Sequence, residues 1–468
     1  MPISPARAAA FDILLRIEQQ EAYAQELLHS SPYGRLSSAD HGLATELVLG
    51  VLRWRSLLDD KIAHFSTKAV GKLDLEVLTA LRLGAYQLVF LSRIPQHAAV
   101  HESVELVKRA RRSSAVPFVN AVLRQLVGRS AEAKAAEESE ATDAALPRPS
   151  SVPDPDGAAG DRQGAESAAQ LSQALAHPCW LVERWVCEFG AETARKICEY
   201  DQRVPETSIH LADSRAEAEL QQEGIALDAG RLLASARRLR TGNASRSRAF
   251  LEGPVAIQDE CSQLVARLVG HGSRILDCCA APGGKTRILA ERNPEARIAA
   301  MELHPHRARL LRKLVAAQNV DVINCDVREF TPPASFDRVL VDLPCSGTGT
   351  LAHHPEIKWR LRPQDLADLA VRQLQILRAA MRCLAPGGEL VYSTCSLERE
   401  ENEQVVERAL AAEPSFQVLD CGMDLERLRA EGELAWKNPR SLTRGLFLRT
   451  IPGLHPCDGF FAAILERN

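Results

Sequence analysis

The chain has 468 residues, 46% of them hydrophobic and 25% charged. That excludes a disulfide-stapled miniature, a collagen-like repeat or a wholly disordered chain, and leaves room for about three domains. A net charge of −4, taken whole, argues against a strongly basic nucleic-acid binder.

Counting by segment changes that reading. Residues 1–130 carry 16 Lys and Arg against 12 Asp and Glu, whereas residues 131–170 carry 3 against 9. One acidic stretch therefore sets the overall sign. No run approaches the ~18 apolar residues of a membrane span, and Asp12 and Arg16 interrupt the apolar stretch near the N-terminus. A cytoplasmic protein with its 12 cysteines as reduced thiols is expected. No CxxC pair occurs and the gaps between Cys179, Cys187 and Cys198 fit no common zinc pattern, so no metal is expected.

Residues 1–130 read as all helical. Leu78, Leu81, Ala85 and Leu88 share one helical face, as do Val100, Val104 and Val107, and Phe118, Val122 and Leu126 continue the pattern. These stripes predict the core of a helical bundle. Lys108, Arg109, Arg111 and Arg112 beside them form either a solvated face or an RNA-contacting one.

Residues 131–170 hold 12 alanines, no aromatic residue, and only Leu146 and Val152 as larger aliphatics. Such a stretch buries too little to offset its ordering entropy and reads as a flexible linker. From about Leu171 to 270 a small mixed α/β segment is expected. Its Arg237, Arg238, Arg240, Arg246 and Arg248 surround a loop-like Thr241-Gly242-Asn243 and suit an idle basic loop or a phosphate-tracking one.

Beyond residue 271 strand and helix signals alternate as in a doubly wound, Rossmann-like sheet. The strands expected are Arg274–Leu276, Arg297–Met301, Val320–Ile323, Val339–Val341 and Leu390–Tyr392, with helices over His306–Gln318 and Pro363–Leu384. The first strand opens into Cys279-Ala280-Ala281-Pro282-Gly283-Gly284-Lys285-Thr286. Small residues between a strand's carboxyl end and a helix let backbone N–H groups approach a nucleotide-like ligand. GxGxxG is absent, and Cys279 stands where a P-loop needs glycine, which weakens an NTPase reading. Glu302 ends the second strand, where an acid can accept both ribose hydroxyls. Asp326 follows the third and can meet an adenine edge. The fourth strand runs into Asp342-Leu343-Pro344-Cys345 and the fifth into Thr394-Cys395-Ser396, which places two cysteines on the cofactor edge.

These segments resemble the motifs of the Sun (Fmu) family of RNA cytosine-5 methyltransferases. The helical region, with Phe118-Val119-Asn120-Ala121-Val122-Leu123-Arg124, is similar to the NusB-like RNA-binding domain of its bacterial 16S ribosomal RNA member. Gln258-Asp259-Glu260-Cys261-Ser262 and Asp458-Gly459-Phe460-Phe461 also resemble family segments. The resemblance implies S-adenosylmethionine held by Cys279, Ala280, Ala281, Pro282, Gly283, Gly284, Lys285, Glu302, Asp326 and Asp342. It implies Cys395 as nucleophile toward cytosine carbon 6, Cys345 as the base that releases the product, and Asp342 serving cofactor, base or both. RNA, most simply 16S ribosomal RNA, is the expected partner of a monomer, with no DNA and no membrane. Two departures stand out: Leu343 replaces a usual Ala or Val, and Leu351-Ala352-His353-His354-Pro355 lacks a basic residue before His-Pro, which puts one RNA contact in doubt. The domains expected are thus 1–130 helical, 131–170 linker, 171–270 small α/β and 271–468 catalytic.

Overall fold

The computed structural model describes residues 3–20, 22–30, 32–139, 167–315 and 317–468. The chain divides into two units, Met1–Val204 with Leu351–Arg360, and Pro205–Thr350 with Leu361–Asn468.

The first unit is built from helices. Pro5–Gln20, Ser38–Arg53, Arg55–Phe65, Leu75–Phe90, Gln96–Arg109 and Val116–Ser139 supply its main layers. The predicted stripes meet in one core: Leu78, Leu81, Ala85, Val100, Val107, Val122 and Leu126 are buried in it, with Leu88, Val104 and Phe118 packed at its margin. Spacings of three and four place each set on one face, and burial of that face is what stabilises helices of this length.

Two boundaries differ from the expected ones. Helix Val116–Ser139 runs past residue 130, and helix Ala168–Ala174 begins before 171, closed at its start by a Ser167/Gln170 capping box. The linker expected over 131–170 otherwise lies outside the described residues. Helices Cys179–Phe189 and Ala191–Gln202 follow, and they belong to the helical unit rather than to a small α/β segment. Leu181, Val182, Trp185, Ala194 and Ile197 form their buried faces, and Gln202 Nε2 donates to the Arg53 carbonyl at 3.0 Å.

Leu351–Arg360 also belongs here. Lys358 Nζ donates to the Arg53 carbonyl at 3.1 Å and Trp359 Nε1 to that of Leu52 at 2.6 Å. These carbonyls end helix Ser38–Arg53 and have no partner within it. Arg53 in turn donates to the Ala352 carbonyl at 3.1 Å, and Glu356 Oε1 accepts from Ala24 N at 2.9 Å. Burial pulls the Lys358 ammonium down to about 7. The His-Pro segment is therefore an internal part of the helical unit: Leu351 and Ala352 are buried and the His354 ring meets Tyr23 edge-on.

The second unit holds two sheets. The smaller has order β2-β3-β1-β4, from β1 (Ser208–Leu211), β2 (Ala226–Ala229), β3 (Ala236–Thr241) and β4 (Val255–Ile257), and is antiparallel throughout. The larger contains β5 (Arg274–Asp277), β6 (Arg297–Met301), β7 (Val320–Ile323), β8 (Phe336–Asp342) and β9 (Leu384–Thr394), parallel in the order β7-β6-β5-β8-β9. Beyond β9 lies β13 (Phe461–Arg467), antiparallel to it, followed by β12 (Phe447–Arg449) and β11 (Thr443–Arg444), while β10 (Phe416–Leu419) pairs with β13.

Alternation along these strands builds a core on each face. Leu276, Val339, Val341, Leu390, Tyr392, Phe461 and Ala463 enter one core with helix Asp365–Cys383, and Ile275, Leu340, Val391, Ala462 and Ile464 enter the other with helix Glu260–Leu268. A sheet buried on both faces reads as continuous apolar runs, which is why the five parallel strands were legible. The doubly wound reading holds, with the antiparallel strand β13 added at its β9 side.

Candidate active site

Because β7, β6, β5, β8 and β9 are parallel neighbours, their carboxyl ends share one edge. Asp277, Glu302, Asp342 and Thr394 stand at or just past four of these ends, and Asp326 lies in the turn after the fifth. Sequence reasoning placed all the candidate residues on this edge, and the topology brings them there.

The turn after β5 is tightly fixed. Cys278 N donates to the Leu340 carbonyl at 2.9 Å and Ala280 N to that of Met301 at 2.8 Å. The Ala281-Pro282 peptide is cis, and Gly283 has φ +121°. A Cβ on Gly283 would lie 2.5 Å from Val315 Cγ2, and one on Gly284 2.9 Å from Gln258 Oε1. Both the space and the backbone conformation therefore call for glycine at 283. Gly283→Ala is expected to destabilise the protein by about 1–3 kcal/mol and to weaken cofactor binding, read by thermal unfolding and calorimetry; unchanged values in both would contradict the cradle described.

Thr286 Oγ1 donates to Asp277 Oδ2 at 2.7 Å, and burial pushes the Asp277 carboxyl up to about 6. Glu302 is buried; its Oε1 accepts from His304 N at 2.8 Å. Arg307 lies 3.7 Å from its Oε2 and donates to the Ala281 carbonyl at 3.0 Å, so one guanidinium joins the Glu302 carboxylate to the glycine turn. Asp326 caps no helix. It closes a turn by accepting from Arg328 N at 2.9 Å and pairs with the Arg328 guanidinium, whose hydrogen bonds hold its carboxyl below the usual range.

Asp342 is held from two sides: Lys285 Nζ stands 2.7 Å from Oδ2, and Ser393 Oγ donates to Oδ1 at 2.7 Å. Burial works against the Lys285 ammonium, but Asp342, with help from Cys395 and Asp277, raises it above its ordinary value. The ammonium also lies 5.5 Å from the centre of the Phe460 ring.

The two cysteines meet. Cys345 Sγ lies 3.3 Å from Cys395 Sγ, and all 12 cysteines of the chain are free thiols. The hydrogen bond to Cys395, then burial, pushes the Cys345 thiol well up. Burial does the same to Cys278 and Cys279, which are thereby poor nucleophiles. Among the described residues no group of His, Cys, Asp and Glu could hold a metal.

Most cations of the basic stretches are paired with acids. Lys108 pairs with Glu105, Arg109 with Asp12 and Arg112 with Glu76. Arg237 pairs with Glu217, Arg238 with Glu206, Arg240 with Asp228 and Arg248 with Glu252. Acids both near and distant in sequence pair with these cations, so most of each run is compensated, while among the described residues no ion pair is found for Arg111 or Arg246.

Three groups were missed in the sequence. Gln258 Oε1 is buried against Gly284 with no hydrogen-bond partner among the described residues. Gly459 packs its backbone on Gly349, donating to the Gly349 carbonyl at 2.8 Å while Gly349 N donates to that of Cys395 at 2.9 Å. A Cβ on Gly349 would sit 2.1 Å from the Gly459 oxygen, which explains the two glycines. Glu401 lies behind both cysteine loops. Gln258 and Gly459 lay in segments that carried a family resemblance but no assigned role, and Glu401 had no signal.

The profile of the family described as 16S rRNA methyltransferase RsmB/F matches residues 268–466, and that of the NusB family residues 4–128. A probable ribosomal RNA small subunit methyltransferase B of Bacillus subtilis is 31% identical over 100% of both chains. The chain belongs to this family of small-subunit ribosomal RNA methyltransferases. A ribosomal RNA small subunit methyltransferase B of Klebsiella pneumoniae is 32% identical over 97% of this chain and 96% of its own. The crystal structure of PH0851 shares the fold at a TM-score of 0.76 with 22% identity, over 100% of both chains. The chain is accordingly an RNA methyltransferase whose methyl donor is S-adenosylmethionine, with a NusB-like helical region. The donor set suits that cofactor: glycines that leave room at a strand end, an acid after β6, and the buried acceptor Gln258 Oε1 beside them. No helix among the described residues is long and apolar enough to cross a membrane.

Proposed function

We propose that the chain methylates carbon 5 of a cytosine in 16S ribosomal RNA through a transient Cys395–cytosine bond. The observation that carries this reading is the Cys345/Cys395 thiol pair at 3.3 Å on the carboxyl edge of the sheet. Methyl transfer to an oxygen or an exocyclic nitrogen has no use for two thiols, whereas carbon 5 has. It is a poor nucleophile until a thiolate adds to carbon 6 and turns the ring into an enamine.

Cys279 to Lys285, Glu302, Asp326 and Asp342 hold the cofactor. When bound, S-adenosylmethionine supplies an electrophilic methyl group. Cys395 Sγ forms the bond to carbon 6, its thiol proton passing to ring nitrogen 3 beside Asp342 and returning to the sulfur when that bond breaks, and Lys285 balances negative charge at this sulfur and at Asp342. Asp342 faces the base, its orientation fixed by Lys285 and Ser393. After methylation the carbon 5 proton must leave so that the sulfur–carbon 6 bond breaks. Cys345 takes that proton. Its first restraint, the hydrogen bond to Cys395, is absent while Cys395 is bonded to the ring, so Cys345 then releases its own proton to solvent and acts as a base.

The target base must leave its stack to reach this edge, which favours a loop or junction of the RNA. RNA carrying tritium at cytosine carbon 5 tests the reading: tritium release should match methyl groups transferred, and methylation without release would overturn it. Lys285→Met is expected to lower methyl transfer by about 10²-fold, since a fixed charge beside the reacting groups is lost. Initial-rate measurements check it, and near-normal rates would remove Lys285 from the mechanism.

A further inference from the structure

Glu401 is a buried carboxylate that touches neither the glycine turn nor a cysteine sulfur in any hydrogen bond, yet both cysteine loops converge on it. Oε1 accepts from Ser346 N at 2.8 Å and from Gln373 Nε2 at 2.9 Å. Oε2 accepts from Ser396 Oγ at 2.6 Å and from Ser346 Oγ. Ser346 follows Cys345 and Ser396 follows Cys395 in the chain, and their hydroxyls are 2.9 Å apart. Four donors saturate what a carboxylate accepts, so the whole capacity of this side chain goes to the residues beside the two cysteines and to their support.

The surroundings extend the same frame. Gln373 Nε2 also donates to the Pro344 carbonyl at 3.0 Å, reaching the loop on the other side of Cys345. Asn402, next to Glu401, accepts from Thr394 Oγ1 at 2.5 Å and donates to the Ser396 carbonyl at 2.9 Å, which brackets Cys395. The Tyr392 hydroxyl donates to the Glu401 carbonyl, tying this turn back to β9. Burying a carboxylate is costly unless its partners are excellent. A hydrophobic residue could have filled the space, so its retention here points to a task of alignment.

We propose that Glu401 is a positioning residue that clamps the Cys345 and Cys395 loops together, setting the distance between the two sulfurs for attack and for release. This rests on the roles given above to the two cysteines. The clamp holds Ser346 and Ser396 on one oxygen, so neither loop can move without stretching a charge-assisted bond to the other. An error of about 1 Å at such a site lowers rates by about 10²-fold without loss of binding.

The test uses the full-length protein with ribosomal RNA from a strain lacking it. Glu401→Gln keeps the shape but exchanges one acceptor oxygen for a donor, so either the hydroxyl pair on one oxygen or the Ser346 N–H and Gln373 amide bonds to the other must break or reverse. The turnover number is expected to fall by about ten- to a hundredfold, with KM for RNA, cofactor affinity and the thermal midpoint little changed. Ser396→Ala, which removes one hydroxyl only, should give a smaller fall of the same kind and serves if Glu401→Gln does not fold. The rate of covalent RNA adduct formation is then compared between Cys345→Ala and Cys345→Ala/Glu401→Gln, with Cys345→Ala/Ser396→Ala as the folding-safe alternative. Slower trapping in the double variant supports the clamp. Equal trapping with unchanged turnover, or a loss confined to KM and stability, overturns it. Absence of any adduct in Cys345→Ala itself would instead strike the cysteine roles on which the clamp depends.

Discussion

Cys395→Ala is expected to abolish methyl transfer, with a fall on the order of 10⁴-fold or more, because no other group on the sheet edge can add to carbon 6. Cys345 is the neighbouring sulfur, at 3.3 Å; the substitution removes its hydrogen bond to Cys395, but burial and the nearby Glu401 still hold its thiol up, and its proposed place is at carbon 5 rather than carbon 6. Cys278 and Cys279 are held in the thiol form by burial. The substitution removes one sulfur from a partly buried site, so its effect on stability should stay near ~1 kcal/mol. Cofactor affinity should also persist, since the glycine turn, Glu302 and the Lys285–Asp342 pair do not depend on the sulfur for their geometry. Methyl incorporation into ribosomal RNA, measured beside calorimetric cofactor binding, checks both halves. Retained turnover would show that carbon 6 is not attacked by Cys395.

The opposite phenotype is expected for Cys345→Ala. Attack and methylation proceed, but the carbon 5 proton has no acceptor, and the protein–RNA bond accumulates as a denaturant-resistant band. Turnover should fall by about 10²- to 10⁴-fold, the range associated with loss of a general base. The asymmetry between the two variants is the informative part: one loses the adduct, the other accumulates it. Normal turnover in Cys345→Ala would assign release to another group, with Asp342 a carboxylate on the same edge.

Much of this site was readable because its carriers are local. Cys279 to Thr286, Asp342 to Cys345 and Thr394 to Ser396 each follow a short apolar run, and parallel pairing alone then brings their carboxyl ends to one edge. Features that depend on distant partners were not readable. Arg109 meets Asp12 across 97 residues, and Arg238 meets Glu206 across 32, so a run that looks basic in sequence is paired in space. The same holds for Glu401, whose partner Ser346 is 55 residues away and whose own neighbours, Glu400 and Glu403, suggest an ordinary exposed acidic turn. The expected boundary at 171 failed for a related reason. Helices Cys179–Phe189 and Ala191–Gln202 show amphipathic faces, but nothing local says which core those faces join. Strand β13 was hidden because Phe461 to Leu465 is a short apolar run at the chain end, legible as a strand only once β9 offers its edge.

The net charge of −4 also takes on a different sense. It neither excludes RNA nor marks a binding surface, since the acidic stretch 131–170 sets its sign and most cations of the basic runs are paired with acids.

Cys395 is expected to make one 5-methylcytosine in 16S ribosomal RNA. Bisulfite mapping of that RNA from a deletion strain, complemented with the wild-type chain or with Cys395→Ala, addresses it most directly. One 5-methylcytosine should vanish on deletion, return with the wild type and stay absent with Cys395→Ala. An unchanged map on deletion, or restoration by Cys395→Ala, would contradict it.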